Sequence, residues 1–410
     1  MPNNNKIAIS KIRNENVREA VFKTLQLINA KNLFLEPNLK VLLKPNLLLA
    51  KEPERAATTH PEVLRAVIQW VKKFNPEKII VAESSGTFKL GATEKAFEEC
   101  GLKQVCEEEG VEWTSFGKTQ RKTYKVENPL ILEEITTSSL LEEVDLIINL
   151  PKIKTHGQCI LTCVIKNMFG TLILGNKAST HARFPKREDF NAALTDIYSV
   201  SQPELTIIDG YYAMEGNGPS AGDVVKMDLI LAGFDPVALE TVVCEIINFN
   251  RKEIYYIQQA ESKGLGTTDL TKMELLGDPI DEVKRPFKPP KGSPISVPLP
   301  RFIADYVSKA IFRSSIKFDE KKCKLCGTCW ENCPADAITP PEVKKKGNTP
   351  EWDSDKCITC YCCAELCPYE AVDFKVNIVK NVLTSWLLLP ILIILGGFIG
   401  LIWWIVSIFL

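Results

Sequence analysis

Apolar and polar positions follow two periods over the first 280 residues. Lys6–Ser10 and Leu39–Leu43 are short apolar runs that predict buried strands. Between them, Glu15–Asn29 carries Val17, Val21, Leu25 and Ile28 at helical spacing. Pro61 opens a second helix with Val63, Val67, Trp70 and Phe74 on one stripe and His60 at its N-cap. Lys78–Ala82, Asp145–Leu150, Glu204–Asp209 and Asp228–Leu231 read as further strands, and Gln158–Phe169 and Pro236–Ile247 as helices. Strands alternating with helices predict an α/β fold, a layered mainly parallel or mixed sheet with flanking helices.

The pattern changes after residue 280. Seven prolines between Pro279 and Pro300 predict an extended linker. Arg301–Arg313 has an apolar face of Phe302, Ile303, Tyr306, Val307, Ala310 and Ile311, a short amphipathic helix for a membrane surface or for packing on the body. From Thr384 to Leu410 no residue is charged, and as a helix this stretch would reach about 40 Å. Lys375 and Lys380 precede it, so the expectation is one C-terminal transmembrane helix in the cell membrane, single-pass, with the soluble domains facing the cytoplasm. The domains expected are 1–280 (α/β), 281–316 (linker and amphipathic helix), 317–375 (cysteine-rich) and 384–410 (anchor).

The chain has 410 residues, 45% apolar and 25% charged, which is ordinary for a globular protein. Its net charge of −1 gives no bulk basicity for nucleic acid. Eight of its 14 cysteines fall in two runs, Cys323, Cys326, Cys329, Cys333-Pro334 and Cys357, Cys360, Cys363, Cys367-Pro368. Both read C-x2-C-x2-C-x3-C-P, the spacing that seats a [4Fe–4S] cube with the fourth cysteine reaching to the other cluster. Two [4Fe–4S] clusters are expected, one on Cys323, Cys326, Cys329 and Cys367, the other on Cys357, Cys360, Cys363 and Cys333. Zinc also takes four thiolates, but its sites use two C-x2-C pairs without the third cysteine in register. Cys362 reads as a small filler. The segment 317–375 resembles a bacterial-type two-cluster ferredoxin, a small α+β unit, lengthened by a basic insertion at Lys344–Lys346 that is either a docking surface or a solvated tip. Cluster thiolates need a reducing compartment, and no apolar leader follows Met1, which places the body in the cytosol.

Polar motifs recur at predicted strand ends: Lys44-Pro45-Asn46, Glu83-Ser84-Ser85-Gly86, Pro151-Lys152-Ile153-Lys154-Thr155-His156-Gly157 and Asp209-Gly210. Ligands in open α/β sheets bind outside the carboxyl ends of the strands. These loops would gather Lys44, Lys152, Lys154, His156 and Lys166 around a small anion, a carboxylate or phosphate. No hydrolytic triad, Walker loop or G-x-G-x-x-G fingerprint is present. Cys159 and Cys163, at i, i+4 on the predicted helix, read as packing or as a metal pair.

The order of DLIINLPKIKTH (Asp145–His156), Lys166-Asn167-Met168-Phe169-Gly170, Asp209-Gly210, Gly216-Asn217-Gly218-Pro219, Asp235-Pro236-Val237-Ala238 and Gly264-Leu265-Gly266 resembles the domain-of-unknown-function family numbered 362, over about residues 6–278. Members of that family are often fused to a two-cluster ferredoxin unit. The chain departs from it at Glu240, usually aspartate, and at Cys163, often glycine. The resemblance implies a redox setting and no substrate. The expected function is a membrane-anchored iron–sulfur oxidoreductase, fed by a redox partner protein or a membrane quinol. His156, Lys154 and Glu240 are its candidate catalytic groups, and Lys44, Lys152, Lys166 and Asp209 its candidate substrate-binding groups. The alternatives are a non-catalytic electron carrier or assembly partner using the lysine loops as a docking patch, and a metal-handling protein using Cys159 and Cys163.

Overall fold

One sheet of ten strands organises the large domain in the computed structural model, which describes residues 5–87, 91–173, 175–290, 314–343, 345, 347–358 and 360–376. The strands are β1 (Lys6–Lys11), β2 (Lys40–Pro45), β3 (Lys78–Glu83), β4 (Glu112–Ser115), the separate hairpin β5 (Arg121–Lys125) and β6 (Glu134–Ser138), then β7 (Leu146–Leu150), β8 (Lys152–His156), β9 (Ile160–Thr162), β10 (Leu205–Glu215), β11 (Asp223–Gly233) and β12 (Glu274–Gly277). Their order is β12-β1-β11-β10-β7-β2-β3-β4, with β8 beside β10 and β9 beside β8. The run from β10 to β4 is parallel, and β11 is antiparallel to both β10 and β1. The sheet is therefore mixed, within the fold class the sequence predicts.

Alternate strand residues feed two cores. Leu42, Ile80 and Ile147 point to one face, covered by helices Arg187–Val200, Pro236–Ile247 and Tyr255–Ser262. Val41, Leu43, Val81 and Ile148 point to the other, covered by Val17–Leu27 and Pro61–Lys72. The second of these starts where expected: Pro61 needs no N–H partner, and His60 Nδ1 accepts the Glu62 N–H at 3.3 Å.

One predicted element differs. Gln158–Phe169 is not a helix: Ile160–Thr162 pairs antiparallel with Lys154–His156, and only Val164–Asn167 and Met168–Thr171 are helical turns. The backbone reverses through the turn at Gly157–Cys159, Ile160 re-enters the strand with φ +70°, and β8 lies beside β10. Cys159 and Cys163 thus flank a strand instead of sharing a helical face. The proline-rich stretch also departs from a free linker in its first part: Phe287 is buried in the large core, and its N–H donates to Ile247 O at 2.9 Å. The predicted helix Arg301–Arg313 lies outside the described residues.

The small unit is built on β13 (Ser314–Phe318) paired antiparallel with β16 (Val372–Val376), a second pair β14 (Ile338–Thr339) and β15 (Glu351–Trp352), and two single-turn helices, Thr328–Glu331 and Cys362–Glu365. It packs on the large domain through Leu366, Cys360 and Cys362 against Leu48 and Leu49. Glu370 reaches across to Lys51 Nζ at 2.8 Å and to Arg55. A Cβ at Gly86 would stand 2.9 Å from the Leu366 and Leu48 methyls, so the two units approach closely there and a larger residue would push those leucine ends aside.

The membrane expectation is corrected. Among the described residues no helix is long and apolar enough to cross a membrane. The longest, Arg187–Val200, has 14 residues, against about 20 for a spanning helix. The predicted anchor at 384–410 lies outside the described residues, and a single-pass location in the cell membrane is withdrawn.

Candidate functional site

Three cavities carry the chemistry. In the small unit, Cys323, Cys326, Cys329 and Cys367 line one cavity, and Cys333, Cys357, Cys360 and Cys363 line another. Each set takes three thiols from one run and the fourth from the other. The fourth cysteine of each run accepts a backbone N–H: Ala337 to Cys333 Sγ and Ala371 to Cys367 Sγ, both at 3.3 Å. Among the described residues no three such side chains converge on a single-ion site. Four thiols spread around a cavity fit a cluster that presents its irons at the corners. Cys326 is exposed, whereas Cys360 and Cys363 are buried, with Cys360 on the large domain's side.

The third cavity lies at the seam. It encloses about 680 Å³, open mouth included, and both units line it. The small unit contributes Cys362, Glu365 and Leu366. The large domain contributes Asn46, Leu47 and Leu48 after β2, Glu83, Ser84 and Gly86 after β3, Lys154 and Thr162 of the β8–β9 hairpin, and Lys166, Asn167, Phe169 and Gly170. Lys177 and His181 enter from the helix Asn176–Arg183. Gly170 is required here, because a Cβ would meet Glu83 Oε1 at 2.1 Å.

Lysines set the electrostatics, and they are of two kinds. Lys44 is fully buried against the Glu83 carboxylate, and Lys152 Nζ lies 2.7 Å from Asp209 Oδ2 with both side chains fully buried. Burial lowers the pKa of both lysines, and their carboxylates oppose that. Lys154 and Lys177 have no carboxylate in contact among the described residues. Lys154 Nζ donates to Asn46 Oδ1 at 2.7 Å and to Ala57 O at 2.8 Å. Burial, with Lys152 and Lys166 nearby, holds its pKa well below the usual value. Lys177 Nζ donates to Ser84 O at 2.6 Å and Ser85 O at 3.2 Å, and burial lowers it to about 8. An amide ladder fixes this wall: Asn46 Nδ2 donates to Asn167 Oδ1, Asn167 Nδ2 to Asn149 Oδ1, and Asn149 Nδ2 to Val164 O.

The histidines exchange expected places. His156 does not line the cavity. Its Nδ1 accepts the N–H groups of Gln158 and Cys159, both at 3.1 Å, so the proton sits on Nε2. Nε2 stands 3.1 Å from Glu365 Oε1, without the alignment of a good hydrogen bond. Burial keeps His156 neutral, its pKa well below the usual range, and raises Glu365 to about 7. His181 is the imidazole in the cavity, lowered by burial to about 3, with Nδ1 3.1 Å from Gln158 Oε1.

Of the candidate catalytic and substrate-binding residues named from the sequence, the cavity gathers Lys154 and Lys166. Lys44, Lys152 and Asp209 stand behind it in ion pairs, and His156 backs Glu365. Glu240 is elsewhere, accepting the Ile165 N–H at 3.0 Å and facing Tyr256 OH at 3.4 Å. With at most 1% exposure, Lys44, Lys152 and Lys154 offer no docking surface to a protein. Sequence reasoning passed over Lys177, His181 and Glu365. Lys177 and His181 carry a findable signal, being i, i+4 on one helix.

The profile for "Domain of unknown function (DUF362)" matches residues 41–245, and that for a "4Fe-4S dicluster domain" matches 322–371, in that order. A thylakoid-associated protein from a Synechocystis species is 30% identical over 272 residues, 66% of this chain and 82% of that one. The chain belongs to the DUF362 family. Among solved structures, a lactate racemase apoprotein from Thermoanaerobacterium thermosaccharolyticum overlaps at a TM-score of 0.38 and 14% identity, over 58% of this chain and 57% of that one. A Thermotoga maritima protein overlaps at 0.36 and 14%, over 62% and 59%. The chain spans less than two thirds of either solved chain, and overlaps this loose say nothing of chemistry. The DUF362 match stops at residue 245, yet the cavity it supplies is closed by the dicluster segment.

Proposed function

We propose that the protein is an iron–sulfur oxidoreductase that takes single electrons into its cysteine unit and passes them to a small anion held in the seam cavity. The α/β domain (1–280) holds the ligand and the unit at 317–375 holds two [4Fe–4S] clusters, joined through 281–316. The observation that carries this reading is the shared cavity: Cys362, one residue from the cluster ligand Cys363, lines the same space as Lys154, Lys166 and Lys177. Such clusters supply one-electron transfer when bound. Around them, the chain separates an outer end from an inner one. On this reading an external redox partner, a protein or a quinol, delivers electrons near Cys326, which is exposed. The buried Cys360 and Cys362 pack with Leu49 and Leu366, which keep water from the inner end.

The lysines and amides hold the anion, and Phe169, Leu48 and Leu366 give it an apolar wall. Glu365, raised to about 7 by burial, lines the cavity with the neutral His156 ring behind it, Nε2 3.1 Å from Oε1. The test is anaerobic purification with iron and sulfide analysis, reductive EPR, and mass spectrometry of co-purified ligand. About eight irons, reducible signals and an anionic small molecule are expected. Iron-poor, EPR-silent protein overturns the relay. Full cluster content with no anion binding overturns the cavity assignment alone.

A further inference from the structure

The three lysines on the seam cavity are not equivalent, and their hydrogen bonds tell them apart. Lys154 Nζ donates to Asn46 Oδ1 and Ala57 O, and Lys177 Nζ to Ser84 O and Ser85 O. Both spend their N–H groups on holding the wall in shape. Lys166 Nζ has neither a hydrogen bond nor a carboxylate in contact among the described residues. It stands 5.5 Å from the centroid of the Phe169 ring, whose π face holds it without taking up a donor. Its backbone is fastened on either side: the Ile165 N–H donates to Glu240 Oε1 at 3.0 Å, and Asn167 is tied to Asn149 in the amide ladder. Lys166 thus meets the cavity from a fixed base with its donors unspent.

The rest of the wall specifies a body for the ligand. Leu48 and Leu366 close the cavity from the two units, beside Cys362. Phe169 and His181 supply two rings, 5.6 Å apart and edge to face at 88°. Two rings and two leucines favour a flat apolar body through the area it would bury. A short saturated acid leaves that surface unfilled. It also offers no low-lying empty orbital to an electron arriving past Cys362, whereas a conjugated body does. A carboxylate lies in the plane of such a body. A phosphate does not, and its three oxygens ask for more donors than one Nζ supplies.

We propose that the ligand is a carboxylate borne on an aromatic or otherwise conjugated body, with the carboxylate on Lys166 Nζ and the body between Phe169 and the leucines Leu48 and Leu366. This rests on the seam cavity being the ligand site. Phe169 then serves twice, positioning the Lys166 side chain and meeting the conjugated body beside it.

The test is isothermal titration of the anaerobic, cluster-loaded protein with benzoate, acetate, benzamide and phenyl phosphate. Benzoate is expected to bind at least about tenfold more tightly than each of the others: acetate lacks the body, benzamide the charge and phenyl phosphate the flat oxyanion. Lys166→Met should bring benzoate down to the affinity of benzamide, and Lys166→Arg should restore most of the difference. If Lys166→Met fails to fold, the ranking of the four probes on the unaltered protein still decides the ligand class. Acetate, benzamide or phenyl phosphate binding as tightly as benzoate overturns the proposal, and so does benzoate affinity unmoved by Lys166→Met. Each of these outcomes leaves the electron relay standing. Absence of binding by all four, with EPR-active clusters, overturns the cavity reading beneath it.

Discussion

The small unit and the large domain carry their chemistry in opposite ways. In the small unit the chemical groups are neighbours in sequence, and the fold around them is slight: strands of two to five residues, single-turn helices and a core that includes its own cysteines. In the large domain they come from segments more than 100 residues apart, such as Asn46 with Lys154 and Asn167, set in a ten-stranded sheet with a core on each face. A unit too small to bury a sufficient core depends on what it binds. A large packed domain tolerates buried charge and uses it.

The strongest test of that contrast removes cluster ligands. Cys363→Ala takes a buried thiol from the inner set, and the crossed arrangement makes both sets depend on both runs. Iron content should fall by at least half, and residues 314–376 should lose their protection from proteases and hydrogen exchange. The melting transition of the large domain should stay within a few degrees. A small unit that keeps full protection without iron would end the comparison.

Within the large domain the two kinds of lysine should part. Lys152→Met leaves Asp209 fully buried without its cation, a loss of about 3–5 kcal/mol. Lys154→Met strands no carboxylate but removes the donor to Asn46 Oδ1 and Ala57 O, so the empty protein should lose a smaller amount, about 1–3 kcal/mol. Denaturant unfolding of both variants checks the difference. Equal losses would mean that Lys154 is a structural cation like Lys152.

These differences also mark what a sequence exposes. The cysteine spacing is local, so a grouping of thiols can be read along the chain. Most large-domain elements could be read from periodicity, because each buries a single face. The β8–β9 hairpin could not: Val164, Ile165 and Met168 keep helical spacing, while the reversal at Gly157–Cys159 answers to the sheet edge of β10. Lysines at strand ends were visible, but which ones meet carboxylates depends on partners such as Glu83 and Asp209 that only the sheet brings near. Glu365 was hidden because its role comes from docking, its sequence neighbours being cluster cysteines.

Glu240 extends the contrast to pH. Burial raises its pKa from 4.5 to about 8. The folded state then holds a proton that the unfolded chain releases. Its contribution is fully present below the unfolded value of 4.5 and is lost as pH rises through about 8. Glu240→Gln, which cannot ionise, should flatten the fall of the melting temperature across that window. An unchanged slope would assign the fall to other groups.

The smallest expected effect lies at the seam where the two regions meet. Glu370 is paired with Lys51, 7% exposed, and with Arg55, 43% exposed. Solvent screens the Arg55 pair, and exposed pairs contribute about 0.2–1 kcal/mol. A double-mutant cycle on Arg55→Ala and Glu370→Ala should therefore give a coupling within that range, falling with added salt. Leu48, Leu49 and Leu366 remain in contact in both variants, so the small unit should stay docked, and exchange at the Leu366 amide should quicken only slightly. A coupling of several kcal/mol, or free exchange at Leu366, would mean that charge and not the apolar contact holds the units together. The seam cavity would then open with ionic strength.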